Sequence, residues 1–300
     1  MAATPYAARH VDVRQRRISI TPARIQPHQS PMHKQLQKIE SRQNSRVKQL
    51  RAAFAGNTKL SGGLVGIEGM HLLQELLRSG LQPEAVFVSQ DSLALLKQFD
   101  LAAQVAVFEL PDEVLHSALA TEAPQGIAAL LAPPEFARDS LLGLDAASVP
   151  LVLVAAGLQD PGNLGTLIRS AEAFAATGVL CLPGTVSAWN QKAMRASAGS
   201  VFRMPVVQAG GMVDLQWLRH SGVKVHAAVA RDATRADHAD LRGPSALLIG
   251  NEGAGLSEEV LAFADDRITI PCPGDVESLN AAVAGSLLLY EARRQRGRQA

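Results

Sequence analysis

Five polar side chains stand at three places where an apolar stretch gives way to a glycine-bearing loop and then to a helical pattern. The first place runs from Gly157 to Gly165. It holds the turn signal Asp160-Pro161-Gly162, then Asn163, with Arg169 six residues further on. The second is Gly250-Asn251-Glu252-Gly253-Ala254-Gly255, a carboxylate set among glycines. The third is Ile270-Pro271-Cys272-Pro273-Gly274, followed by Ser278-Leu279-Asn280 at the mouth of a long apolar helix. Helix starts leave main-chain N–H groups unpaired and carry the positive end of the dipole, so each junction is a place to hold a polar ligand. Glycines let the backbone come close to such a ligand. Each junction also has a plainer reading, with Asn163 and Ser278 as helix caps, Arg169 on the surface and Glu252 solvated in a glycine turn.

Several other chemistries are disfavoured. The glycine order is GxxGxG rather than the dinucleotide fingerprint GxGxxG, and no Walker GxxxxGK[ST] occurs. Neither Cys181 nor Cys272 has a Cys or His at ligand spacing, so no metal site is expected. The eight histidines are scattered and no GxSxG is present, which argues against Ser-His-Asp hydrolysis.

The elements around the junctions alternate. Strands are predicted at 151–156, 179–182, 223–229, 246–249 and 267–270, and helices at 164–176, 192–200, 213–220, 257–264 and 279–296. Apolar strands between helices predict an α/β fold with a parallel sheet covered on both faces, and ligands in such sheets bind at the strands' carboxyl ends. Residues 33–55 read as a basic helical segment with Leu36, Ile39, Val47, Leu50 and Phe54 on its apolar side. Helices at 71–79, 92–99 and 112–119 alternate with strands at 85–89, 105–110 and 126–131, a smaller α/β layer. The expected organisation is a disordered basic tail over 1–31, a small domain over 32–132, a linker over 133–149 that opens with Pro133-Pro134, and a larger domain over 150–300. Met32 stands as an alternative start, since ordered patterning begins only after it.

The 300 residues are 47% hydrophobic, ample for two cores. No apolar run reaches the roughly 18 residues a membrane span needs, and the first residues lack the apolar region of a signal peptide. Two cysteines in apolar contexts fit a reducing compartment, so the chain reads as cytoplasmic with no membrane partner. The net charge of +1 conceals a polarity: residues 1–51 carry eleven Lys and Arg against Asp12 and Glu40, which leaves the remainder at −8. The C-terminus turns basic again at Arg293, Arg294, Arg296 and Arg298. Basic ends on an acidic body suit a polyanion, nucleic acid above all, while a solvated tail is the plainer reading.

Taken together, the three junctions resemble the motifs of the SpoU/TrmH family of RNA ribose 2′-O-methyltransferases, in the SPOUT superfamily. Asn163 and Arg169 match its N-x-x-x-x-x-R, Ile249 to Gly255 its I-G-x-E-G-x-G, and Ile270 to Asn280 its I-P-M-x-G-x-x-S-L-N with one extra spacer. Cys272 stands where Met is common. Lys192 to Phe202 matches a further segment, and residues 41–131 are similar, more loosely, to the family's L30e-like RNA-binding domain. The resemblance implies a C-terminal SPOUT domain with a deep trefoil knot, a departure from the rule that chains do not thread loops. It implies S-adenosylmethionine as methyl donor, held at Gly250, Ile270 and Leu279, with no metal. Arg169 would deprotonate or orient the 2′-hydroxyl, with Asn163, Glu252, Ser278 and Asn280 positioning it, the ribose and the cofactor. Since arginine keeps its proton, orientation and phosphate binding are at least as plausible for Arg169. RNA contacts are expected from Arg46, Lys48, Arg195, Arg294 and Arg296, and a homodimer is expected because the family's sites form at a dimer interface. The separate N-terminal domain favours ribosomal RNA, 23S in particular. The alternatives are transfer RNA as substrate, or an inactive RNA-binding protein of the same fold.

Overall fold

In the second half, runs such as Leu151-Val152-Leu153-Val154 are too continuously apolar for a half-exposed strand, and each forms a strand buried on both faces. The computed structural model describes residues 36–297 except 120, 122, 123, 144, 146 and 147. The tail expected over 1–31, and Arg298, lie outside the described residues.

The large domain holds β6 (Leu151–Ala156), α5 (Pro161–Ala173), β7 (Gly178–Cys181), α6 (Gln191–Ser197), β8 (Val206–Gln208), α7 (Met212–His220), β9 (Lys224–Ala228), β10 (Thr234–Arg235), β11 (Ser245–Gly250), α8 (Glu258–Phe263), β12 (Asp266–Thr269) and α9 (Ala281–Gly297). Its seven-stranded sheet has the order β10-β12-β9-β11-β6-β7-β8, parallel throughout. Alternate strand residues face opposite cores. Leu153, Leu247 and Ile249 pack with Leu164, Leu167 and Leu288 of α5 and α9, while Val152, Val154 and Leu248 pack with Leu215, Leu218 and Val260 of α7 and α8. At Gly285 an added Cβ would lie 2.4 Å from Leu167, so glycine lets α9 settle onto α5 and β11.

The small domain holds β1 (Leu36–Lys38), α1 (Ser45–Phe54), α2 (Thr58–Ser61), β2 (Val65–Glu68), α3 (Met70–Arg78), β3 (Ala85–Ser89), β4 (Ala106–Leu110), α4 (Asp112–His116) and β5 (Ile127–Leu131). Its mixed sheet has the order β1-β4-β3-β5-β2. One face packs Val47 and Leu50 of α1 on Phe87 and Phe108, whose rings stack 5.1 Å apart. The other packs α3 within an apolar cluster that continues into the large domain.

Several expectations need correction. Residues 33–55 are not one helix, since Leu36–Lys38 pair in parallel with β4 at the sheet edge and Asn44 caps a helix that begins at Ser45. An edge strand paired through its backbone leaves its side chains exposed, so it shows no alternation to read. The helix expected at 92–99 is a 3-10 helix over Gln90–Gln98, and β2, β8 and β10 are short strands additional to those expected. The stretch read as a linker contains a 3-10 turn, Arg138–Leu142, whose Leu141 is fully buried. Arg138 there lies over the Trp217 ring at 4.6 Å and pairs with Asp214 at 3.3 Å.

Candidate active site

From β6 the chain moves outward to β7 and β8, then crosses to β9 and returns to place β11 against β6. A crevice therefore opens where the strand order reverses, at the carboxyl ends of β6 and β11. Those ends are level, with Gly250 opposite Ala156. The loops that follow them carry the first two junctions.

The loop after β11 is closed by its own backbone. Asn251 and Gly255 exchange N–H···O bonds of 2.9 and 3.0 Å, and the Asn251 side chain accepts from the N–H groups of Gly253 and Ala254. A Cβ on Gly250 would stand 2.4 Å from the Gly255 carbonyl carbon. Gly250 is thus required by the loop's approach to itself, and Gly255 adopts a left-handed φ of 70°. Asn251 also donates from Nδ2 to the Gly157 carbonyl at 2.9 Å, tying the two loops together.

Glu252, at the tip, accepts from Asn163 Nδ2 at 2.9 Å and from the N–H groups of Gln159 and Asp160 at 3.4 Å. A carboxylate only accepts, so Asn163 must turn its amide nitrogen toward Glu252 and its oxygen away. That oxygen accepts from Asn280 Nδ2 at 3.1 Å. The remaining Asn280 oxygen accepts from the N–H groups of Ala282 and Val283, which makes Asn280 the cap of α9. The relay Glu252–Asn163–Asn280 joins all three junctions, with every donor and acceptor direction set by the carboxylate at one end and the helix start at the other. Burial works against the Glu252 charge, but the bonds from Asn163 and the main chain outweigh it and hold the carboxyl below its ordinary range.

Two cap assignments are corrected here. Asp160, not Asn163, caps α5. It accepts from the N–H groups of Gly162 and Asn163, with Pro161 at the first helical position where a missing donor does no harm. Asp-Pro was the available signal. Lys192 reaches Asp160 at 3.0 Å, and together with the two N–H groups holds that carboxyl below its ordinary range. Asn280 caps α9 in place of Ser278, which is exposed two residues earlier in irregular chain. Asn251 and Lys192 are further organising residues, to which the motifs that contain them assign no site role. Asn251 carries a turn-forming side chain, and Lys192 opens the matching segment 192–202, though nothing local marks Asp160 as its partner.

Beside the relay lies a cavity of about 410 Å³. Gly250, Ile270 and Leu279, the expected cofactor contacts, all line it, with Ser278 beside them. Its floor is apolar, from Ile249, Leu256, Ile268 and Leu288, and Glu252 and Glu277 stand in its wall. Among the described residues, no N–H of 271–279 bonds to a main-chain carbonyl. Apolar walls, uncommitted backbone donors and two carboxylates fit a ligand with a flat ring, a polar sugar and positive charge, which S-adenosylmethionine is.

The remaining candidates are spread. Arg169 is exposed on α5 and outside the relay, with no hydrogen bond or ion pair among the described residues. Arg46 and Lys48 are exposed on α1, where Arg46 bonds Gln49 and lies 5.8 Å over the Phe108 ring; Arg195 is exposed in the last turn of α6. Arg294 is paired with Glu291 at 2.6 Å. Arg296 differs from the expectation: it donates to the carbonyls of Leu241, Val149, Pro150 and Gly243. Four of its five N–H groups are thereby held by the backbone, so it clamps strand entrances rather than presenting itself to a phosphate.

Fold and site together define a two-domain α/β protein that binds a small cofactor at the carboxyl ends of a parallel sheet. Residues 150–290 match the SpoU rRNA Methylase family, and residues 44–129 match the MRM3-like substrate binding domain. The 23S rRNA (guanosine(2553)-2′-O)-methyltransferase RlmP of Bacillus subtilis is 32% identical over 86% of this chain and 100% of its own. An AdoMet-bound rRNA methyltransferase from Sinorhizobium meliloti superposes with a TM-score of 0.75 at 27% identity, covering 86% of this chain and 98% of that one. The SpoU methyltransferase AviRb from Streptomyces viridochromogenes, in complex with AdoMet, does so at 0.72 and 26%, covering 85% and 98%. The chain belongs to the SpoU rRNA methylase family.

Proposed function

We propose that this protein transfers a methyl group from S-adenosylmethionine to a ribose 2′-hydroxyl of RNA, with 23S ribosomal RNA as the substrate. The observation that carries this is the relay Glu252–Asn163–Asn280 at the rim of the cavity lined by Gly250, Ile270 and Leu279. When bound, the cofactor supplies a sulfonium methyl already activated toward nucleophiles. The protein's part is alignment, which can contribute several kcal/mol to the barrier. The closed Gly250–Gly255 loop and the 270–280 segment shape the cofactor pocket, while Glu252 and Asn280 hold Asn163 at its edge. Arg169, without a polar partner among the described residues, orients the hydroxyl or its neighbouring phosphate. Arg46, Lys48 and Arg195 supply exposed positive charge for the RNA backbone.

A homodimer belongs to this reading. Helix α9 carries Val283, Leu287 and Tyr290 at helical spacing on its outer side, 48%, 43% and 51% exposed. Val276, in the loop before it, is 56% exposed. Such a stripe fits a partner surface. The knotted C-terminal passage that the resemblance implies is supported by the return of the chain from β12 through 270–280 to pack α9 on α5 and β11. Mapping 2′-O-methylated positions in ribosomal and transfer RNA from cells with and without the protein tests the function. A lost mark in 23S RNA supports it, a lost mark in transfer RNA moves the substrate, and unchanged maps oppose it. Light scattering on the purified protein tests the dimer, and Leu287→Asp is expected to yield a monomer.

A further inference from the structure

The segment 190–203 holds α5 at both ends and the small domain at two points. At the start of α5, Lys192 pairs with the capping Asp160, and a Cβ on Gly165 would lie 2.2 Å from the Ala193 carbonyl oxygen. At its far end, Arg203 forms a two-pronged pair with Glu172, Nε to Oε1 at 2.5 Å and Nη2 to Oε2 at 3.0 Å. The third prong of the same guanidinium, Nη1, reaches Glu75 Oε2 on α3 of the small domain at 2.8 Å. Glu75 is steadied by Arg78 at 2.7 Å and its side chain is only 13% exposed. Gln191 Nε2 donates to the Gly66 carbonyl on β2 at 2.7 Å. Between these contacts the backbone turns through left-handed Ala198 and Gly199, and a Cβ on Gly199 would stand 2.5 Å from that of Glu75.

Domains joined by a short connection move relative to one another unless their interface is large and apolar or specifically tied. Here the apolar cluster around α3 continues into the large domain, and among the described residues the polar ties between the domains issue from one segment. We propose that Arg203, through Glu75 and Glu172, is a positioning residue for the RNA: it sets the orientation of the substrate-binding domain relative to the helix that carries Asn163 and Arg169. A planar guanidinium serving two carboxylates on separate domains fixes direction as well as distance, which a lysine at the same place does not. Glu75 and Gln191 complete the coupling. None of these side chains touches the cofactor cavity, so their effect falls on how RNA is presented.

The proposal rests on the RNA methyltransferase reading, and its test separates the two. Transfer of tritiated methyl from S-adenosylmethionine to transcribed 23S RNA is measured for the full-length protein and for Glu75→Gln, which keeps the side chain's shape and leaves the Arg203–Glu172 pair intact. About a tenfold rise in KM for the RNA is expected, the effect of replacing a charge-assisted hydrogen bond with one to a neutral acceptor. The maximal rate, the calorimetric affinity for S-adenosylmethionine and the melting temperature stay near those of the unaltered protein. Gln191→Ala gives the same split more weakly, and Arg203→Lys gives it with the carboxylates unchanged. An unaltered KM in Glu75→Gln overturns the proposal, as does an equal loss of cofactor affinity and rate, which would mark a merely structural role. Failure of the unaltered protein to methylate the RNA would instead strike the function reading itself.

Discussion

Asn163 and Asn280 are joined side chain to side chain at 3.1 Å across 117 residues of sequence. Each is anchored at its other end, Asn163 by Glu252 and Asn280 by the first N–H groups of α9. The bond therefore ties the start of the C-terminal helix to the β6 and β11 loops. It gives the amide of Asn163 one allowed orientation.

Asn163→Asp replaces a donor-acceptor group with one that only accepts, and sets a second carboxylate against Glu252. The loss of a bond to a charged group, with repulsion added, is worth about 2–3 kcal/mol, or roughly a hundredfold in kcat/KM. Steady-state methyl transfer together with a melting curve checks this. A variant that melts normally and turns over at the unaltered rate would show that the relay positions nothing.

Gly250→Ala forces a Cβ against the Gly255 carbonyl, which as backbone cannot step aside. Overpacking of this kind costs about 1–3 kcal/mol. Thermal unfolding is expected several degrees lower and affinity for S-adenosylmethionine reduced. Gly274→Ala, where a Cβ meets nothing within 4 Å, serves as the tolerated comparison.

The two cysteines differ in surroundings. Cys181 is fully buried in the sheet, and burial pushes its thiol up to about 12. Cys272 is half-buried and lines the cavity beside Ile270. Iodoacetamide on the folded protein is expected to modify Cys272 alone, and saturating S-adenosylmethionine to slow that reaction. Labelling read by mass spectrometry decides it, and cofactor-independent labelling of Cys272 would put the ligand elsewhere.

Arg296→Ala removes four bonds to main-chain carbonyls, of which those of Pro150 and Gly243 keep a bond from Ser245. A loss of about 2–3 kcal/mol in stability is expected, with little change in the salt dependence of RNA binding. Lys48→Ala should do the reverse, lowering the slope of affinity against salt by about one while leaving the melting temperature in place. Chemical denaturation and binding isotherms at several salt concentrations tell the two apart.

The parallel sheet was legible because its strands are apolar without alternation, and the three junctions because glycine, proline and amide residues cluster where strands end. What escaped was set by contacts remote in sequence. Leu36–Lys38 is a strand only because β4 lies beside it, with exposed side chains that carry no pattern. Arg296 looks like part of a basic tail, yet the connection from β10 to β11 and the residues before β6 surround it with carbonyls. Lys192 finds Asp160 only after α5 and α6 pack at Gly165. The plainer reading of Asn163 as a cap fails because both Asp160 and Asn163 suit that position, and the proline at 161 distinguishes them.

The most direct test of the whole account is to incubate the purified protein with transcribed 23S RNA and S-adenosylmethionine labelled in its methyl group, then digest the RNA and identify the labelled nucleoside by mass spectrometry. The account predicts label in a single 2′-O-methylated nucleoside, abolished or reduced at least a hundredfold in Arg169→Ala. Label on a base, no label at all, or an Arg169→Ala variant that still methylates at the unaltered rate would contradict it.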